Sequence, residues 1–149
     1  MEYRQATMGA HQAAVEQQRQ SAGPEQALYS ARVIEEASRP RNVGRLATPD
    51  AYGVIHGCCG DTMEIYLQLD GERIEKATYV TDGRESAIAC GSMLTTMVQG
   101  LTLEQASAIS PEDLIAALDG LPEAKQHCAR LTVNTLREAI ANWRARSAP

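Results

Sequence analysis

The chain has no phenylalanine and one tryptophan among 149 residues, so its core must be built from Leu, Ile, Val, Met and Ala. It has no apolar run long enough to cross a bilayer and no basic segment leading into an apolar one at its start. Both a membrane span and a secretory signal are therefore disfavoured. Basic residues are not in excess either: the formal net charge is −5, which argues against a nucleic-acid footprint. Cysteine is scarce. Four residues, two of them the neighbours Cys58 and Cys59, are too few for a disulfide-dense secreted scaffold. There is no Cys-x-x-Cys pair. These absences point to a cytoplasmic protein with reduced thiols, in which metal binding or catalysis outranks disulfide formation.

What is present reads as an N-terminal extension followed by one domain. Residues 1–23 are rich in Gln and Ala and short of bulky apolar side chains, which predicts a flexible segment or a frayed helix. Glu2 and Glu16 weaken a transit-peptide reading. The domain is expected over 24–149. Pro24 suits the first position of a helix that Pro40 would end, and 41–53 reads as a loop. In "TMEIYLQLD", Met63, Ile65, Leu67 and Leu69 alternate with other residues, the period of a half-buried strand. Asp70-Gly71 signals a turn into an antiparallel return strand over 73–81. Asp82 and Glu85 have capping-box spacing ahead of a helix that Gly100 would close. Thr102 and Gln105 repeat that spacing, and Ser110-Pro111 opens a further helix. Past Pro122, Cys128, Leu131, Leu136, Ala139, Ile140 and Trp143 form one stripe of a long last helix. The class is α+β, a small antiparallel sheet of about three strands packed against helices.

Two stretches carry chemistry. "HGCCGD", residues 56–61, sets His56, Cys58, Cys59 and Asp61 in a glycine-bounded loop, and "KQHC" puts His127 and Cys128 beside Lys125 in the first turn of the last helix. Imidazole, thiolate and carboxylate together suit zinc or an iron–sulfur centre. The halves lie about seventy residues apart, so spacing alone does not join them. A thiol at a helix N-terminus is expected to be more acidic than a free one, which marks Cys128. His127 and Cys128 point about 100° apart on a helix, so direct pairing is not expected. Cys90, inside an Ala- and Met-rich helix, reads as packing, and His11 and His56 read as solvated loop histidines.

Several separated segments resemble the IscU/NifU-type iron–sulfur cluster scaffolds, the NifU N-terminal-like (SufE/NifU-like) fold. "YSARVIEEASRPRNVGRL" is similar to their opening helix and loop, and "CGD" at 59–61 to their cysteine-glycine-aspartate loop. "GRESAIACGSMLTTMVQGLTLEQA", "LPEAKQHC" and "REAIANW" follow in the family's order from about Leu28 to Trp143. The resemblance implies a scaffold that is not an enzyme. It would accept sulfur from a cysteine desulfurase, assemble a [2Fe–2S] cluster or hold iron, with zinc as an alternative metal, and pass the cluster to apo iron–sulfur proteins. Carried over by position, Cys59, Asp61, His127 and Cys128 are the ligands, and Cys128 is the persulfide acceptor. The chaperone-recognition segment falls on Leu121 to Lys125.

Two departures stand out. Arg84 occupies the family's second cysteine position, removing a thiolate and adding a permanent cation that cannot ligate metal. It could pair instead with Asp61 or a thiolate. Cys58, in an adaptable loop, is then a replacement ligand or a bystander, while Cys90 faces away from Arg84. Glu123-Ala124 replace the family's proline-valine, which argues against the usual chaperone contact. Three readings follow: an assembly scaffold, a zinc-dependent sulfur relay through Cys128, and a degenerate paralogue that binds partners without building a cluster.

Overall fold

The computed structural model describes residues 28–147; the predicted extension over 1–23 and the helix start at 24–27 lie outside the described residues. Three antiparallel strands, β1 (Ala51–His56), β2 (Thr62–Asp70) and β3 (Arg73–Thr81), form a sheet in the order β1-β2-β3. Around it lie α1 (Ala31–Ser38), α2 (Glu85–Val98), α3 (Leu103–Ser107), α4 (Pro111–Ala117) and α5 (Gln126–Ser147), with a 3-10 turn at Glu123–Lys125. α5 crosses β1 and β2, α2 lies against β3, and α1 packs on α2. The α+β class and the three-stranded sheet are as the sequence indicates.

The inner face of β2 carries Met63, Ile65 and Leu67, all fully buried. Opposite them on β3 lie Tyr79 across from Ile65 and Ala77 across from Leu67. A register shift at Gln68/Leu69 then pairs Leu69 with Ile74 instead of Glu75. That bulge keeps an apolar residue facing inward at the strand end and sends Glu75 to solvent. The turn itself is Gly71-Glu72, one residue later than Asp70-Gly71, with Gly71 at φ 61°.

Three local expectations are corrected. Residues 41–53 are not all loop, because Ala51–Gly53 open β1. Their inward positions are Ala51 and Gly53, which are buried yet show no bulky apolar alternation. A Cβ at Gly53 would lie 2.6 Å from the Ala139 backbone nitrogen, so α5 approaches β1 backbone to backbone. The opening helix starts at Ala31: Ser30 Oγ accepts from the Val33 N–H at 3.1 Å and donates to the Leu118 carbonyl at 2.5 Å. A side-chain cap and a tertiary anchor at one residue fix that start. Finally, Asp82 does not cap α2. Its Oδ1 accepts from the Thr62 N–H at 2.7 Å, tying the end of β3 to the start of β2, and Arg84 takes the N-cap position without a side-chain bond. The capping boxes Thr102/Gln105 and Ser110/Asp113 form as the spacing indicates.

α2 shows little amphipathic period because it is sandwiched. Ten of its residues between Ser86 and Val98 are buried, with α1 on one side and β3 and α5 on others. Gly91 lies directly under the Tyr79 ring, where a Cβ would collide with ring carbons. Cys90 is fully buried among these residues, and burial pushes its thiol far above the ordinary range.

Candidate metal centre

The site forms where the β1–β2 turn meets the first turn of α5. The Gly60 N–H donates to the Gly57 carbonyl at 3.0 Å, closing a four-residue turn with Cys58 and Cys59 at its centre. The Gly57 N–H donates to the Asp61 carbonyl at 2.7 Å, and Gly60 adopts φ 93°, a conformation that favours glycine. Both cysteines are thereby held out at the turn tip, and both are exposed. Asp61 lies at the edge of β2, half-buried, against Gly83. A Cβ at residue 83 would sit 3.0 Å from Asp61 Oδ2, so the glycine leaves the carboxylate its room.

Cys59, Asp61 and His127 each offer a ligand atom within 4.8 Å of the other two. The sequence separation of the two halves is thus closed by the fold. Cys128 is reached through His127: its Sγ lies 3.6 Å from His127 Nε2, within hydrogen-bonding range for sulfur. The expectation that these neighbours cannot pair is corrected, because the length of the imidazole bridges the angular offset between adjacent helical positions. Cys128 is 2% exposed, and its Sγ also contacts Ser86 Oγ at 3.2 Å.

The expected acidity of Cys128 is also corrected. Burial pushes its thiol above the ordinary value, and the nearby Asp61 and Cys59 push the same way. The Ser86 hydroxyl and the Lys125 cation only partly oppose this. The position at a helix start is as predicted, but desolvation outweighs the helix dipole. Ser86 is the residue that sequence reasoning missed. Its only signal was its place in the first turn of α2, two residues beyond Arg84.

Arg84 sits between Gly83, which abuts Asp61, and Ser86, which abuts Cys128. Its backbone therefore borders the site, while its side chain is exposed and makes no ion pair with Asp61 among the described residues. Cys58 lies outside the three-residue group and Cys90 inside the core. His56 is exposed, with Nδ1 2.8 Å from Thr62 Oγ1 at the sheet edge, and His11 lies outside the described residues. Leu121 is buried, Glu123 and Ala124 are exposed, and Lys125 leads into the His127 turn. Among the described residues no helix is long and apolar enough to cross a membrane.

One imidazole nitrogen, one carboxylate and one thiol, with a second thiol beside the imidazole, are donors for iron or zinc. They leave at least one coordination position of the three-donor group open.

A family model described as the NifU-like N terminal domain matches residues 28–149. The iron–sulfur cluster assembly scaffold protein IscU 1 of Archaeoglobus fulgidus is 39% identical over 117 residues, 78% of this chain and 76% of that protein. The scaffold protein IscU of Escherichia coli K12 is 36% identical over 123 residues, covering 79% of this chain and 95% of its own. In fold, the chain matches the N-terminal part of a nitrogen-fixing NifU-like protein from Brucella abortus. The TM-score is 0.66 at 20% identity, over 79% of this chain and 95% of that one.

Proposed function

The chain belongs to the NifU-like N-terminal domain family, and from that premise we propose that it is an iron–sulfur cluster assembly scaffold. It accepts sulfur from a cysteine desulfurase, holds iron with that sulfur as a nascent [2Fe–2S] cluster, and yields the cluster to apo-proteins. The cluster is cargo. The observation that carries the reading is the convergence of Cys59, Asp61 and His127, with Cys128 against His127.

Each residue contributes a distinct property. Cys59 and Cys128 supply thiolates, the soft donors that iron–sulfur chemistry requires. His127 supplies a borderline nitrogen. Asp61 supplies a hard oxygen, which holds a cluster iron less firmly than thiolate does and so favours release over storage. The exposed turn around Cys59 opens the site to an acceptor, while buried Cys128 anchors its inner side. The protein acts as a scaffold and not as an enzyme. Anaerobic reconstitution with ferrous iron and sulfide tests this: wild type develops sulfur-to-iron charge-transfer absorption, and Cys59→Ala and Cys128→Ala do not. Absence of the absorption in wild type contradicts the scaffold.

One observation favours a second reading, a zinc-dependent sulfur relay. The compact group has three donors and an open position, and Arg84 stands at the family's second cysteine position. That reading predicts tight zinc and transferable persulfide without retained sulfide.

A further inference from the structure

One thiol of the doubled cysteine has no place in the ligand set just described. Cys59 belongs to the three-donor group and Cys58 does not. Their shared turn gives them different surroundings. Cys59 folds back over the loop: a Cβ built on Gly57 would lie 3.5 Å from its Sγ and 3.3 Å from the Asp61 carbonyl. Cys58 is the other central residue of that turn, exposed and adjacent to a thiol already in the site. Cys128, by contrast, is 2% exposed, with its sulfur engaged by Ser86 and His127. A bulky sulfur donor approaching this surface meets the turn before it can meet Cys128.

We propose that Cys58 is the landing thiol for sulfur and hands it to Cys59. This deepens the scaffold reading and rests on it. The donor is a persulfide, the species a cysteine desulfurase presents. In the first step the Cys58 thiolate attacks the outer sulfur of the donor persulfide. A sulfur–sulfur bond forms at Cys58, the donor's breaks, and the donor thiolate leaves. In the second step the Cys59 thiolate attacks the outer sulfur on Cys58, a new bond forms at Cys59, and the Cys58 thiolate leaves. The proton stays on the outer sulfur, and neither step needs an oxidant or reductant. Attack on the inner sulfur would release sulfide and join Cys58 to Cys59. Neighbouring Cα atoms are about 3.8 Å apart, shorter than an ordinary disulfide spans, so that branch is strained and the outer sulfur is the favoured target.

The arrangement separates receiving sulfur from binding metal. Cys59 need not meet the partner itself, because an adjacent thiol collects the sulfur and passes it on. Thiol adjacency also makes the second step intramolecular, with a high effective concentration.

The test is persulfide mapping on the reduced full chain. Cysteine hydropersulfide is added in one equivalent, the reaction is quenched at intervals with an alkylating reagent, and each cysteine peptide is fragmented in tandem mass spectrometry. A backbone break between Cys58 and Cys59 places the added sulfur on one or the other. The outer sulfur is expected first on Cys58 and then on Cys59. In Cys59→Ser it accumulates on Cys58, and in Cys58→Ser the labelling of Cys59 slows by about tenfold. First appearance on Cys128 or Cys59, or unchanged Cys59 labelling in Cys58→Ser, overturns the relay. Reconstitution of Cys58→Ser with ferrous iron and inorganic sulfide bypasses the landing step and retains wild-type cluster absorption. Loss of that absorption would make Cys58 a ligand and also overturn the proposal. If wild type itself builds no cluster, the scaffold reading fails while the order of labelling still decides the relay.

Discussion

Among the residues of the proposed scaffold site, the main departure from the family is Arg84. It stands between the residues that abut Asp61 and Cys128, yet its guanidinium has no lone pair to offer. A cation beside the site repels a bound metal, less so the more water screens it. Arg84→Cys exchanges that repulsion for a thiolate. It should tighten ferrous iron binding by at least about tenfold in competition with a chromophoric chelator, and unchanged affinity would remove Arg84 from the account. The candidate donor types were legible in the sequence, since thiol, imidazole and carboxylate name their own chemistry. Their proximity was not, because about seventy residues separate Cys59 from Cys128. Nor was the state of Cys128. The helix-start rule promises an acidic thiol, but burial decides the direction, and burial is a property of the whole packing around Cys128.

Among the elements, β1 depends most on α5. Gly53 lets the α5 backbone come within contact distance, and any side chain there must push the two apart. Gly53→Ala should therefore cost about 1 to 3 kcal/mol in denaturant unfolding. Because β1 leads into the Cys58–Cys59 turn, the same variant should also weaken metal binding; unaltered stability would mean that α5 is not held this closely. This contact also explains why β1 escapes detection by hydrophobic periodicity while β2 and β3 do not. Met63, Ile65 and Leu67 advertise an inner face, whereas small residues at Ala51 and Gly53 serve the same face silently.

On the sheet's other face, Arg45 pairs with Glu64 at 3.0 Å, and the Tyr66 hydroxyl donates to the same carboxylate. The Arg45 bond, then that of Tyr66, lowers the Glu64 pKa below 4.5, while burial pushes Tyr66 up to about 12. A depressed carboxylate stabilises the fold above its unfolded value and loses that contribution as pH falls through the folded value. The unfolding temperature should thus fall as pH drops through the carboxylate range, less steeply in Glu64→Gln. Equal acid sensitivity in both proteins would show that this pair is too well solvated to matter.

At the scale of the molecule, a three-stranded sheet and a long helix bring two distant chain segments to one edge, where sulfur, nitrogen and oxygen donors converge. A metal at that edge would cross-link the β1–β2 turn to α5, so binding and folding should reinforce one another. The scaffold reading makes the bound inorganic content its central claim. The direct measurement is iron, zinc and acid-labile sulfide per chain in protein purified without oxygen, compared between wild type and Cys59→Ala. The account predicts iron and sulfide in equal amounts in wild type and little of either in the variant. Wild-type protein that carries zinc but no sulfide, or neither metal nor sulfide, would contradict it.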